Sequence, residues 1–149
     1  CLGIAPAAAW VASTGRLDAS IFPIVAAVML WTAGFDIIYS LQDDVFDAEN
    51  HLRSLPQTFG RPAALGVSRL CHVVSVLCLA KGGFMVQAGW AYYAGVLFAA
   101  CLLYYEQSLV KPNDLRRVDM AFFTLNGFVS IGVFLFALAD YALRLRNVH

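Results

Sequence analysis

Three carboxylates, Asp36, Asp43 and Asp47, stand at positions i, i+7 and i+11, directly after a long apolar stretch. At about 100° per residue in a helix, Asp43 and Asp47 fall within roughly 20° either side of Asp36, so one helical stripe carries all three. Asp43 and Asp47 are one turn apart, a spacing at which two carboxylates can converge on one cation. Carboxylates at the end of an apolar span are expensive to keep there unless they bind something, which makes the stripe a candidate site.

Such a stripe suits Mg²⁺, a hard cation that takes one or two protein carboxylates and completes its octahedron with waters and phosphate oxygens. The cation would neutralise a diphosphate and stabilise it as a leaving group, and Arg53, the first cation after the stripe, can add a two-point contact to its oxygens. Apolar spans beside this head-group site would shelter a long hydrocarbon tail. Together these parts suit an amphiphilic diphosphate. Asp44 and Glu49 read as solvated, and Tyr39 by itself as an interfacial aromatic.

The elements that position the stripe follow from composition. Of the 149 residues, 60% are hydrophobic and only 13% charged, and the mean hydropathy is +0.70, values that belong to an integral membrane protein in a lipid bilayer rather than to a soluble domain. The ten acidic residues balance the ten basic ones, yet five of the acidic ones (Asp36, Asp43, Asp44, Asp47 and Glu49) fall in one window. No basic tail or patch points to nucleic acid. The cysteines at 1, 71, 78 and 101 form no CxxC pair and lie in apolar segments, so they read as small packing residues; His72 reads as a helix-end polar residue and not as a ligand.

A full span takes about 20 apolar residues. Stretches at 19–41, 63–80, 86–105 and 120–142 meet that, and 1–12 resembles the tail of a further one. The expected fold is therefore an all-α, polytopic transmembrane bundle of four full spans plus a truncated first one. Short polar joints are expected at 13–18 and at Lys81-Gly82-Gly83, and charged ones at 42–62 and 106–119. Alternation places both charged joints on one side, and their Arg53, Arg61, Lys111, Arg116 and Arg117 favour the cytoplasm over the side with Arg16, Lys81, Arg144 and Arg146. Within 42–62 the preceding helix should extend, break near Pro56 and restart after Arg61-Pro62. Asn113 or Asp114 is the expected cap of the last span. A chain that begins Cys-Leu-Gly-Ile-Ala-Pro, with no charged leader, reads as the C-terminal part of a longer protein.

The run Phe35-Asp36-Ile-Ile-Tyr39-Ser-Leu-Gln-Asp43-Asp44-Val-Phe-Asp47, with Leu52-Arg53-Ser54-Leu-Pro56 and Phe59-Gly60 after it, resembles the second aspartate-rich motif of the UbiA superfamily of intramembrane aromatic prenyltransferases. The likeness extends to Lys111-Pro-Asn-Asp-Leu, to Ala121-Phe-Phe-Thr-Leu-Asn126-Gly127 and to the Ala-Pro-Ala-Ala-Ala-Trp segment near the start. Within the superfamily it looks most like the bacterial 4-hydroxybenzoate polyprenyltransferase-like group. The resemblance implies a nine-span bundle in the bacterial inner membrane, of which residues 1–149 are the C-terminal part of a single domain. The missing N-terminal half of the same enzyme would carry the first aspartate-rich motif.

It further implies transfer of a polyprenyl chain from polyprenyl diphosphate to an aromatic acceptor, 4-hydroxybenzoate or a naphthoate-type acid, in ubiquinone or menaquinone biosynthesis. Ionisation of the allylic diphosphate would give a carbocation-like centre that the electron-rich ring attacks. By resemblance, Asp36, Asp43 and Asp47 are the catalytic set, with Asp43 and Asp47 holding Mg²⁺; Tyr39, Arg53, Ser54 and Asn126 bind substrate. Three positions depart from the usual pattern, Ala48 and His51 standing where many relatives have Arg and Gly, and Arg53 where Lys or His is common. The competing reading from another class is a non-catalytic membrane module or transporter half that binds a cation or an anionic lipid with the same carboxylates; the broken inverted repeats that would mark a transporter are not visible.

Overall fold

A computed structural model of the chain describes residues 2–41, 54–110 and 124–146. Every regular element among them is helical. A 3-10 turn at Leu2–Ile4 leads into α1 (Ala5–Thr14), and a second at Ala19–Ile21 leads into α2 (Phe22–Ser40). After the acidic segment come the short α3 (Leu55–Phe59), then α4 (Arg61–Met85), α5 (Trp90–Leu109) and α6 (Asn126–Arg146).

Three helical segments are long and apolar enough to cross a membrane: Ala19–Ser40, Arg61–Met85 and Asn126–Arg146. The chain is a multi-pass integral membrane protein. The fourth expected span, 86–105, forms a helix of 20 residues, Trp90–Leu109, but its ends dilute it. Trp90, Tyr92 and Tyr93 open it, and Tyr104, Tyr105, Glu106, Gln107 and Ser108 close it, the arrangement of aromatics at both ends that suits the two membrane interfaces. The partial stretch at 1–12 is a short apolar helix running to Thr14.

One joint differs from the expectation. Lys81-Gly82-Gly83 is no turn: α4 continues through it to Met85, and the chain reverses at 86–89. The two glycines are there because neighbours press on the helix; a Cβ on Gly82 would stand 2.6 Å from Cγ1 of Ile24 on α2, and one on Gly83 would run into the Tyr92 ring of α5. The expected break near Pro56 is found, with extended Ser54 before it and Pro56 in the first turn of α3, where its missing N–H costs nothing; the helical extension expected ahead of it lies outside the described residues. Pro62 likewise stands in the first turn of α4, so the expected restart there is found. The proposed caps Asn113 and Asp114 lie outside the described residues.

The helices pack in a run, α2 on α4, α4 on α5 and α5 on α6. Ile37, Ile38 and Leu41 of α2 bury against Ala64 and Leu65 of α4 and Val110 after α5, with Leu55 of α3 closing over them. Phe35 of α2 meets Ala99 and Leu103 of α5 and Val129 of α6. In lipid the apolar environment provides little drive for such association, so close packing and interhelical hydrogen bonds carry it. Ser75 Oγ donates to the Ala27 carbonyl at 2.7 Å and Ser68 Oγ to the Gly34 carbonyl at 2.8 Å, tying α4 to α2. At the other end Asp140 of α6 accepts from the N–H groups of Gly89 at 2.8 Å and Tyr92 at 3.4 Å. The buried carboxylate thereby satisfies donors at the start of α5 that no helix carbonyl can reach.

Candidate functional site

The last two turns of α2 sort their side chains by face. Phe35, Ile37 and Ile38 point into the bundle, and Leu41 after them does too, whereas Asp36 and Tyr39 are exposed. The sorting follows from the 3.6-residue period: packing of α2 on α4 uses one side, and residues 36 and 39, one turn apart, are left on another. This is the face that the carboxylate stripe would continue. Asp43, Asp47 and Arg53 themselves lie outside the described residues.

Ser54 and Asn126 belong to the same end of the bundle. Ser54 precedes α3, whose Leu55 packs on the cluster of Ile37, Ile38 and Leu41. Its backbone carbonyl accepts from both Thr58 N–H and Thr58 Oγ1, at 3.0 and 2.8 Å, while its own hydroxyl is buried with no hydrogen-bond partner among the described residues. Asn126 is the first residue of α6 and half-buried, one turn before Val129, which packs with Phe35. Of the seven residues singled out in the sequence, four lie among the described residues: Asp36 and Tyr39 on the exposed face of α2, Ser54 before α3 and Asn126 at the start of α6.

Behind Asp36 lies a polar cluster that the sequence reading missed. His72, read there as a helix-end residue, sits in the interior of α4 and is buried. Its ring packs on Phe35 with centroids 5.0 Å apart, and a Cβ on Gly34 would collide with it. Gly34 is therefore needed where His72 and α2 meet. The Gln107 amide nitrogen lies 2.9 Å from Ser68 Oγ and 3.0 Å from His72 Nδ1, so one side chain of α5 bridges two positions of α4. Glu106 is fully buried, and neither of its carboxyl oxygens has a hydrogen-bond partner among the described residues. It lies between Leu103 and Val110, one turn from each, and so on the face of α5 that packs toward α2. The available signal was a glutamate closing an otherwise apolar helix, a position that is a functional hypothesis by default.

Among the described residues no group of three or more His, Cys, Asp or Glu could hold a metal ion. Asp36 is the described member of the acidic stripe. Asp43 and Asp47, four residues apart in the sequence, would offer hard oxygen donors, which suit Mg²⁺ rather than a soft transition metal.

Comparison with known proteins bears on the same segment. The model of the UbiA prenyltransferase family matches residues 1–137. A 4-hydroxybenzoate octaprenyltransferase of Pseudomonas syringae pv. tomato is 32% identical over 138 residues, covering 91% of this chain and 45% of the relative. One of Nitrosospira multiformis is 29% identical over 136 residues, covering 91% and 46%. The chain spans about half the length of these relatives. No solved structure matches the chain. With the family match running through all the helices that carry or flank the acidic stripe, the chain belongs to the UbiA prenyltransferase family.

Proposed function

We propose that residues 1–149 are the C-terminal part of a single membrane-embedded prenyltransferase domain that transfers a polyprenyl chain from its diphosphate to an aromatic quinone precursor. The observation that carries the proposal is the family match over 1–137 together with the exposed placement of Asp36 and Tyr39 on α2, the helix that precedes Asp43 and Asp47 in the sequence. The relatives' name, 4-hydroxybenzoate octaprenyltransferase, makes 4-hydroxybenzoate the first acceptor to test and ubiquinone synthesis the first pathway, ahead of a naphthoate-type acid and menaquinone. The setting is the bacterial inner membrane, with the acidic segment toward the cytoplasm, where water-soluble aromatic acids are supplied.

In this reading Asp43 and Asp47 hold Mg²⁺, which when bound neutralises the diphosphate and makes it a better leaving group. Arg53 contacts the diphosphate oxygens with its guanidinium fork. Asp36 and Tyr39 line the cavity wall next to the reacting carbon, where a carboxylate stabilises positive charge developing on the allylic chain. The Ser54 hydroxyl, buried with no partner among the described residues, is available to the head group, and the Asn126 amide to the acceptor. The apolar spans exclude water from a reactive allylic centre that water would otherwise quench.

The test is an assay in membranes of residues 1–149 co-expressed with the N-terminal half of a relative, given polyprenyl diphosphate and 4-hydroxybenzoate with and without Mg²⁺. The expected result is prenyl-4-hydroxybenzoate that disappears on chelation and returns with Mg²⁺. Turnover of a naphthoate-type acid in its place would reassign the pathway while keeping the reaction, and cation binding with no transfer to any aromatic acid would overturn the enzyme reading.

A further inference from the structure

Helices α4 and α5 leave between them a groove of about 610 Å³, walled by Val73, Val76, Leu77, Ala100 and Leu103, with Arg69 and Ser108 at its polar end and His72 and Gln107 of the polar cluster in its lining. The volume lies within the roughly 300–1,000 Å³ range of pockets that hold small amphiphilic ligands. The helices are antiparallel in a register pinned at both ends. Gln107 reaches Ser68 and His72, and the Tyr92 hydroxyl donates to the Leu79 carbonyl at 2.9 Å. That register sorts the groove lengthwise. Arg69 and Ser108 stand level at one end, and Leu77 and Ala100 at the other, about 12 Å along at 1.5 Å per residue.

The polar end carries an unbalanced positive charge. Arg69 is exposed, eight residues into a membrane-spanning helix, and has no ion pair or hydrogen bond among the described residues. Beside it Ser108 Oγ donates to the Tyr105 carbonyl at 2.5 Å, which leaves the oxygen's lone pairs as acceptors. Tyr104, Leu77 and Val73 on the rim are 80%, 63% and 58% exposed, so the groove opens sideways. A cation and a hydroxyl acceptor at one end, with aliphatic walls running away from them, are complementary to one kind of molecule in a bilayer.

We propose that the α4–α5 groove is a binding site for a phospholipid with an anionic, hydroxyl-bearing head group. Arg69 takes the phosphate, Ser108 accepts from a head-group hydroxyl, and one acyl chain lies over Val73, Val76, Leu77, Ala100 and Leu103. Basic pockets between transmembrane helices recognise anionic head groups in this way. The proposal does not depend on the reaction proposed above.

The experiment is native mass spectrometry of the detergent-purified protein titrated with phosphatidylglycerol or phosphatidylcholine of the same chain length. The expected result is preferential retention of phosphatidylglycerol, falling about fivefold in Arg69→Ala and recovering in part in Arg69→Lys. Leu77→Trp, which fills the tail end while leaving Arg69 in place, should also lower retention, and Arg144→Ala at the exposed end of α6 should not. Equal retention by wild type and Arg69→Ala would overturn the proposal. So would displacement of the lipid by millimolar inorganic phosphate, which would mark a free-anion site. A Ser108→Cys variant that a lipid-soluble maleimide cannot label would also overturn it, because another segment of protein would then cover the groove.

Discussion

A single charge should decide the acidic stripe. Asn nearly matches Asp in shape but carries no charge and offers a weaker oxygen to a hard cation. In the proposed reaction Asp43→Asn and Asp47→Asn should each lower kcat by about 100-fold or more, with unchanged membrane insertion, because the interaction lost is one made to the leaving group. Asp44→Asn is the internal control, since residue 44 points about 80° from Asp36 on the helical wheel. Initial rates of prenyl transfer in membranes, normalised to protein, check this; near-normal rates in both stripe variants would remove Asp43 and Asp47 from the metal site. Arg53→Ala should act differently, raising KM for the prenyl diphosphate, with Arg53→Lys recovering only part because a point charge replaces a fork. A change confined to the KM of the aromatic acceptor would contradict that role.

Among the helices, hydrogen bonds and close contacts across interfaces decide stability. Asp140 is the plainest case, one buried carboxylate on α6 answering two N–H groups at the start of α5. Removing it in Asp140→Ala leaves those donors without a partner, at a cost of about 1–3 kcal/mol. A lowered thermal midpoint in detergent would register the loss, and an unchanged midpoint would show that the cap contributes nothing. The interface between α2 and α4 depends instead on room. Gly34→Val would drive a branched side chain into the His72 ring, displacing the Gln107, His72 and Ser68 cluster that links α4 to α5. The same melting measurement should show destabilisation, and Gln107→Leu, which removes the bridge without crowding, should be milder.

For the molecule as a whole, Asp36, the described member of the acidic stripe, stands on a surface that the described helices leave open. Asp36 and Tyr39 are exposed there, and the aligned relatives are about twice as long as the region they share with this chain. A cavity closed against water needs walls on every side. Residues 1–149 expressed by themselves should therefore insert in membranes without transferring prenyl chains, and co-expression with the N-terminal half of a relative should restore transfer if the inserted helices pack. Mg²⁺-dependent transfer by residues 1–149 expressed by themselves would contradict this and point to an assembly of identical chains.

What the sequence determined is local. Apolar runs of span length can only be helices in lipid, because every backbone polar group must be satisfied within the segment, so the all-α class and most spans were legible, as was the restart at Pro62. The exposure of Asp36 beside buried Phe35 and Ile37 accords with the helical period that made the stripe readable. The tertiary structure decided whatever depends on the register of one helix against another. Gly82 and Gly83 resemble a turn until Ile24 and Tyr92 press against them. His72 resembled a helix-end residue because nothing in its own segment shows that Gln107, 35 residues away, reaches it. Glu106 is buried, and Arg69 left facing a groove, by contacts between helices, and such contacts have no period that a single strand of sequence can display.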